Sequence, residues 1–273
     1  KNLLVGGPII NLWRAPLDND GGWGAEFSCD PSEKTDPMHI IQWHKYGLDE
    51  LQEEIDEVEI NESMKCFCIQ VNGKLLPPSK EIHFGFKKTF SIYPSGLIMV
   101  DIMVENSNHT SKIPTLPKVG TQFFFSNEMK KLQWLGRGPH ESYADKKLSA
   151  FVGCYQNQIP ENFWNYARPQ ENGNKTDVRW ATILDEDNHG FLFMAKEDHL
   201  NISVHECSLE NLTNAHHPYD LVTSNRITLN VDHQQSGVGG DNSWTPSTHE
   251  EFLLKRSVYQ YSFELCPTQT KCE

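Results

Sequence analysis

A tryptophan in a glycine-rich segment is the residue of this chain best placed to meet a ligand. Trp244 lies in the run GVGGDNSWTP, residues 237–246. Glycines before it and a proline after it exclude a helix interior, so the indole is either a plug under a loop or a flat apolar face held out for a ring. Local residues alone favour the plug. The platform alternative fits a sugar, because the three polar residues before Trp244 would supply hydrogen bonds.

Two other segments combine turn residues with Trp, Arg and carboxylates: residues 11–20 (NLWRAPLDND) and residues 134–145 (WLGRGPHESYAD). Buried Arg–carboxylate pairs that lock loops together are the structural interpretation of this mixture. The functional interpretation is a polar pocket where the loops meet. His140 and Glu141 could form an acid/base pair, but adjacent residues of a strand point to opposite faces.

The remaining motifs give weaker signals for chemistry. Residues 18–22 resemble the start of a calcium loop but lack the later oxygen ligands, so a tight turn is predicted. His216 and His217 are predicted to lie in a solvated loop, and Cys66 and Cys68 have the wrong spacing for a CxxC site. Glycoside hydrolysis needs two opposed carboxylates, and the sequence singles out no such pair.

Composition excludes several classes of partner. The chain has 273 residues, a net charge of -13 and a pI near 5.4, which argue against nucleic acid and anionic membranes. No apolar run approaches the ~20 residues of a membrane span. Seven cysteines, an odd number, favour free buried thiols in a reducing compartment, so a cytoplasmic location is favoured and a periplasmic one stays open. The absence of Met at position 1 suggests a fragment.

The elements that would position these loops have a period of two. Apolar residues alternate over residues 82–92 and 98–104 with a short turn between them, which predicts a long antiparallel hairpin. A strand over residues 66–71 is predicted to end in a type I′ turn at Asn72 and Gly73. Further strands are predicted over residues 178–184, 191–195, 227–231 and 259–265.

Helical signals are scarce. Residues 48–58 form the only plausible helix, but their many carboxylates fit a polar edge or loop equally well. Residues 156–175 are irregular and carry Trp164 and Tyr166, which indicates a packed loop. Recurrent strands with almost no helix predict an all-β fold, a large antiparallel sandwich, with a single domain over residues 1–273.

Four blocks of rare residues carry a family resemblance. In order they are residues 13–20, 134–145, 169–173 (PQENG) and 237–246. Together they resemble the C-terminal domain of the large, multidomain bacterial β-galactosidases of glycoside hydrolase family two. The resemblance covers nearly the whole chain and implies one β-supersandwich, similar in fold to galactose mutarotases.

The resemblance also implies which domain of the enzyme contacts the substrate and which carries the catalytic residues. Trp244 matches the tryptophan that reaches into the neighbouring catalytic barrel and stacks against the β-galactoside substrate. The catalytic glutamates, the magnesium ligands and a sodium ion belong to that barrel, so this domain binds no cofactor for catalysis and is inactive alone. The parent enzyme would need Mg and Na or K and would be a homo-oligomer. Lys146 departs from the usual Arg, which weakens the expected loop lock around Asp145.

The family can hold a peripheral alkali ion on backbone carbonyls, and the matching positions here are Arg168, Pro169, Glu210 and Thr213. Two other functions stay open. The chain could be a stand-alone aldose mutarotase or epimerase, for which polarimetry on galactose is the test. It could also be a non-catalytic carbohydrate-binding module, for which calorimetry with galactose or lactose is the test.

Overall fold

The computed structural model describes residues 2–21, 39–80, 82–106, 115–242 and 247–268. Within them no helix is long and apolar enough to span a membrane. The helices and strands are α1 (His39–Lys45), α2 (Leu209–Asn214), β1 (Leu4–Asn11), β2 (Gln52–Glu62), β3 (Phe67–Leu76), β4 (Phe84–Ile92), β5 (Ile98–Asn106), β6 (Lys118–Ser126), β7 (Lys131–Gly138), β8 (Phe151–Gln158), β9 (Lys175–Val178), β10 (Trp180–Leu184), β11 (Gly190–Ala195), β12 (Leu200–His205), β13 (Arg226–Gln235) and β14 (Val258–Pro267).

The strands form two antiparallel sheets. The larger sheet has nine strands in the order β2-β3-β4-β5-β14-β11-β10-β7-β8, and the smaller has five in the order β1-β6-β13-β12-β9. The predicted all-β antiparallel sandwich is therefore confirmed. The hairpin predicted over residues 82–104 is also confirmed, because β4 and β5 pair from Phe84 opposite Asn106 to Ile92 opposite Ile98.

Aromatic side chains fill the space between the sheets. Phe123 of β6 lies against Phe193 and Phe263 of the larger sheet, with ring centroids 5.1 and 6.0 Å apart. Alternate residues of β6 and β13 point into this core, as their period of two requires. At one end α1 closes the core, and its buried Trp43 meets Trp13 edge to face at 6.1 Å. This contact fixes the start of the first motif block.

The opposite face of the smaller sheet is polar but buried. Gln122 of β6 donates to Asn230 of β13, which donates to Ser203 of β12, both at 2.9 Å. The segment between β8 and β9, residues 159–174, lies against this face, and His205 donates to the carbonyl oxygen of Asn172 at 3.1 Å. The motif-bearing loops thus rest on a polar floor that the sheet supplies.

The predicted turn at Asn72 and Gly73 is wrong. β3 runs straight through both residues and pairs with β4 along its length. A Cβ on Gly73 would lie 2.3 Å from the carbonyl oxygen of Glu54 and 2.6 Å from Cζ of Phe86. The glycine is therefore present because an aromatic ring and a bulged neighbouring strand crowd it, as glycines inside strands often are.

Residues 48–58 are not a helix. They form a short 3₁₀ turn and then the first part of β2, so the polar-edge alternative is confirmed. The strand predicted over residues 178–184 is two strands, since β9 and β10 belong to different sheets. All five described cysteines are free, but only Cys207 is buried, so the expectation of buried thiols is confirmed for that residue alone.

Candidate functional site

One large cleft opens where the motif-bearing loops meet. It has a volume of about 670 Å³ and is lined by residues from 17–19, 141–146, 166–171, 238–241 and 249–252. All four sequence blocks contribute to its wall or to the contacts directly behind it. The prediction of a polar pocket where these loops meet is therefore confirmed.

Arg14 locks the first block to the glycine-rich segment. Its guanidinium is fully buried and donates to Asp20 through Nη2 at 2.8 Å and Nε at 3.2 Å. It also donates to the carbonyl oxygens of Ser236 at 2.6 Å and Gly237 at 2.9 Å. Burial alone would lower the pKa of Arg14, but the Asp20 carboxylate outweighs it and the pKa is raised. The buried Arg–carboxylate pair predicted for this block is confirmed, and Asp20 is structural rather than a calcium ligand.

Asp145 holds the glycine-rich segment from the other side. Its carboxylate accepts hydrogen bonds from the backbone amides of Val238, at 2.9 and 3.0 Å, and Gly239, at 2.8 Å. A Cβ on Gly237 would lie 2.6 Å from Oδ2 of Asp145, so the approach requires glycine. The expectation that Lys146 weakens this lock is wrong, because Asp145 uses backbone amides and needs no arginine.

Glu141 is the centre of a second cluster on the cleft wall. It is buried and accepts hydrogen bonds from Lys146 Nζ at 2.8 Å, the Gly173 amide at 2.9 Å and the Tyr166 hydroxyl. Burial acts to raise the pKa of Glu141, but these donors outweigh it and the pKa is lowered. A carboxylate held ionised by three donors is a poor proton-transfer group near neutral pH. His140 contacts Ser149 instead, at 3.1 Å, so the two residues have separate environments.

The floor beneath the cleft is a charged layer that the sequence did not reveal. Lys118 and Asp232 form a fully buried ion pair at 3.0 Å. Gln235 joins this pair to the loops, because its Nε2 lies 3.3 Å from carboxylate oxygens of Asp232 and Glu171 and from Oδ1 of Asn174. Burial raises the pKa of Asp232 to about 6, although Lys118 opposes the shift.

Trp244 lies in residues 243–246, outside the described residues. The residues on either side of that segment are joined at the rim of the cleft. Ser247 Oγ lies 3.2 Å from the amide nitrogen of Asn242 and 3.3 Å from its carbonyl oxygen. Nε2 of His249 meets Asp241 at 2.9 Å, and a hydrogen bond to Asp241 raises the pKa of His249. Described residues on both sides of that segment therefore lie at the cleft.

The four residues proposed for an alkali ion lie on two elements. Arg168 immediately precedes the third block and Pro169 is its first residue, whereas Glu210 and Thr213 are in α2. The Arg168 carbonyl already accepts from Gln170 at 3.2 Å, and helical geometry directs the Glu210 carbonyl along α2. The Thr213 carbonyl belongs to the last turn, where helical carbonyls have no partner within the helix. An alkali ion on the four carbonyls therefore stays a prediction.

Two other predicted motifs have structural roles. His216 and His217 are exposed, and their backbone amides donate to Asp220 at 3.2 and 2.9 Å. The predicted solvated loop is confirmed. Cys66 lies in the turn between β2 and β3, where its amide donates to Ser63 Oγ at 3.1 Å, and Cys68 is in β3.

Comparisons with known proteins identify the family of the chain. A family model described as beta galactosidase small chain matches residues 1–265. The β-galactosidase of Psychromonas ingrahamii is 31% identical over 271 residues, which are 97% of this chain and 24% of that protein. The β-galactosidase of Vibrio cholerae is 33% identical over 258 residues, which are 93% of this chain and 23% of that protein. The chain thus spans about a quarter of the length of these curated relatives.

Among solved structures, a GalM/aldose epimerase homologue from C. elegans aligns with 77% of this chain and 67% of its own. The TM-score is 0.40 and the sequence identity is 4%.

Proposed function

Because the chain belongs to the β-galactosidase small-chain family, we propose that it is one domain of a retaining β-galactosidase that hydrolyses terminal β-galactosides. In this proposal the catalytic carboxylates lie elsewhere in a longer polypeptide. The present chain completes their active site with a substrate-facing surface, and Trp244 stacks on the sugar. Residues 1–273 alone are inactive.

The observation that carries the proposal is the meeting of four sequence blocks at one cleft. A volume of about 670 Å³ is within the range of small-molecule sites. The carboxylates of Glu141 and Asp145 in its wall are engaged by several donors each, which suits a positioning role better than proton transfer. Asp241 and His249, which stand on either side of the segment with Trp244, line this cleft.

The first experiment separates the two parts of the enzyme. Residues 1–273 and the longer polypeptide that contains them are each assayed with a chromogenic β-galactoside. Hydrolysis by the longer protein alone is the expected result. Turnover by residues 1–273, or no turnover by the longer protein, would overturn the proposal.

The role of Trp244 is tested in the longer protein by Trp244→Ala. Loss of a stacked indole face removes about 1–2 kcal/mol of binding, so KM should rise by a factor of about 5–30. Trp244→Phe keeps a flat apolar ring and should recover most of the affinity. Trp164→Ala is the matched control, because Trp164 is 54% exposed and does not line the cleft. A KM for Trp244→Ala equal to that of the control would exclude the stacking role.

The cofactors follow the same division. Mg²⁺ and Na⁺ or K⁺ would serve the catalytic barrel, and none would be bound by this domain for catalysis. A peripheral alkali ion would rest on the backbone carbonyls of Arg168, Pro169, Glu210 and Thr213. We propose a homo-oligomeric, cytoplasmic parent enzyme.

A further inference from the structure

The larger sheet extends beyond the smaller one on one side. β1 is the edge strand of the smaller sheet, and it reaches the larger sheet's edge through two side chains of that sheet. Glu53 of β2 accepts from the Ile10 amide at 2.8 Å and from Lys88 Nζ at 2.7 Å, and Lys88 also donates to the Pro8 carbonyl at 3.2 Å. Beyond this contact, β2 and the adjoining part of β3 have no facing layer among the described residues.

Apolar side chains continue onto this uncovered area. Ile55, Val58 and Ile60 of β2 are 56%, 52% and 60% exposed, and Phe67 of β3 is 37% exposed. These four residues are called the uncovered strip. All four side chains point to the same face of the sheet as Leu75, because residues paired between β2 and β3 share a face and so do alternate residues of β3. Leu75 is 1% exposed, so this face is buried further along β3. The strip is therefore an apolar continuation of the core-facing surface on which no layer of described residues packs.

The edge of the same strand is protected against pairing with another strand. β2 contains a bulge at Asp56, where the register with β3 shifts between Ile55 and Glu57. The strand also carries six carboxylates and no basic residue, at Glu53, Glu54, Asp56, Glu57, Glu59 and Glu62. Bulges and charged side chains are the usual means of preventing strand addition at an edge. An occupant of this region would therefore pack on the face of the sheet and not extend it.

We propose that another part of the same longer polypeptide covers the uncovered strip, through an apolar surface rimmed by Lys or Arg side chains. Two observations favour this occupant. The curated relatives are about four times as long as the region they share with this chain. Glu62 lies directly opposite Phe67 and so shares the face of the strip, where its carboxylate complements a basic rim, whereas a second copy of this chain would bring a like charge to the interface. The inference rests on the proposed function in taking the chain as one domain of a larger protein.

Site-specific photocrosslinking in the longer protein tests the inference. A benzophenone amino acid replaces Val58 in the strip or, as the matched control, Glu59. The control residue is adjacent and exposed, and it points to the opposite face. We expect the probe at position 58 to link, within one polypeptide, to a peptide outside residues 1–273, and the probe at position 59 to give no such product. Mass spectrometry identifies the linked peptide.

Three results would overturn the inference. They are links to a second copy of residues 1–273, no link from position 58, or a coding sequence that adds nothing to residues 1–273. Val58→Lys gives an independent measurement, since it places an ammonium against the basic rim. It should increase hydrogen exchange at β2 amides in the longer protein and leave exchange unchanged in residues 1–273, and an equal effect in both would count against a covered strip.

The β-galactosidase assay distinguishes this inference from the proposed function. A longer protein that hydrolyses β-galactosides but leaves position 58 unlinked refutes the inference alone. A longer protein that links from position 58 to its own distant peptide but hydrolyses no β-galactoside refutes the proposed function alone.

Discussion

Replacing Arg14 by Met should destabilise the chain strongly, because it removes the guanidinium that joins two cleft loops. The substitution keeps the apolar length of the side chain and deletes only its charged end. Asp20, which is 2% exposed, is left with a buried and unpaired charge. The carbonyl oxygens of Ser236 and Gly237 lose donors at 2.6 and 2.9 Å.

The expected loss can be estimated from these contacts. Removing one partner of a buried ion pair costs about 3–5 kcal/mol, and we take ~4 kcal/mol for Arg14→Met. With a urea dependence of ~2–3 kcal/mol per molar, the unfolding midpoint should fall by about 1.3–2 M. Tryptophan fluorescence or far-UV circular dichroism against urea measures this midpoint.

Two comparison variants separate the buried charge from other effects. Lys255→Met breaks an ion pair with Glu250 of similar length, 2.8 Å, whose side chains are 43% and 76% exposed, so it should cost less than ~1 kcal/mol. Arg14→Met combined with Asp20→Asn leaves no unpaired charge and should recover part of the loss. The reasoning is refuted if Arg14→Met lowers the midpoint no more than Lys255→Met does.

Two further predictions concern the cleft's floor and its glycine-rich wall. The pKa of Asp232 is raised from 3.8 to about 6, so the folded state retains a proton that the unfolded chain has released, and stability should fall as pH rises from about 4 to about 6. Asp232→Asn should flatten this slope in urea midpoints measured across that range, and an unchanged slope would contradict the assignment. Gly237→Ala should cost about 1–3 kcal/mol, because its Cβ would meet Asp145 at 2.6 Å and Phe252 Cβ at 2.9 Å. A urea midpoint equal to that of the unaltered protein would show that the wall relaxes at no cost.

The strands most visible in the sequence are those with one apolar and one polar face. Alternation over residues 82–104 predicted β4 and β5, and alternation over residues 227–231 predicted half of β13. Alternation does not say which face meets water. In β13 the polar residues Asn230 and Asp232 are buried, because loops from distant parts of the chain cover them.

The sequence predicted that the motif blocks meet in a polar pocket, but it did not predict most of the contacts that hold the pocket together. Arg14 and Asp20 are six residues apart and of opposite charge, which allowed a local pairing to be inferred. Asp145 binds backbone amides 93 and 94 residues away, and amides carry no signature in residue type. The wrong prediction of a turn at Gly73 has a related cause. The ring of Phe86, which leaves no space for a side chain at Gly73, lies on another strand.

The buried polar face of the smaller sheet has a consequence for how the chain assembles. A sheet whose outer side carries Gln122, Asn230 and Ser203 can remain hydrated while the loops over it are still open. The aromatic core between the sheets can therefore form before the loops close. Closure of the loops then replaces water around polar groups and does not need to cover apolar surface. A half-assembled molecule of this kind would expose little on this side that promotes aggregation. The irregular loops over the smaller sheet can therefore close last without leaving an apolar surface exposed in the meantime.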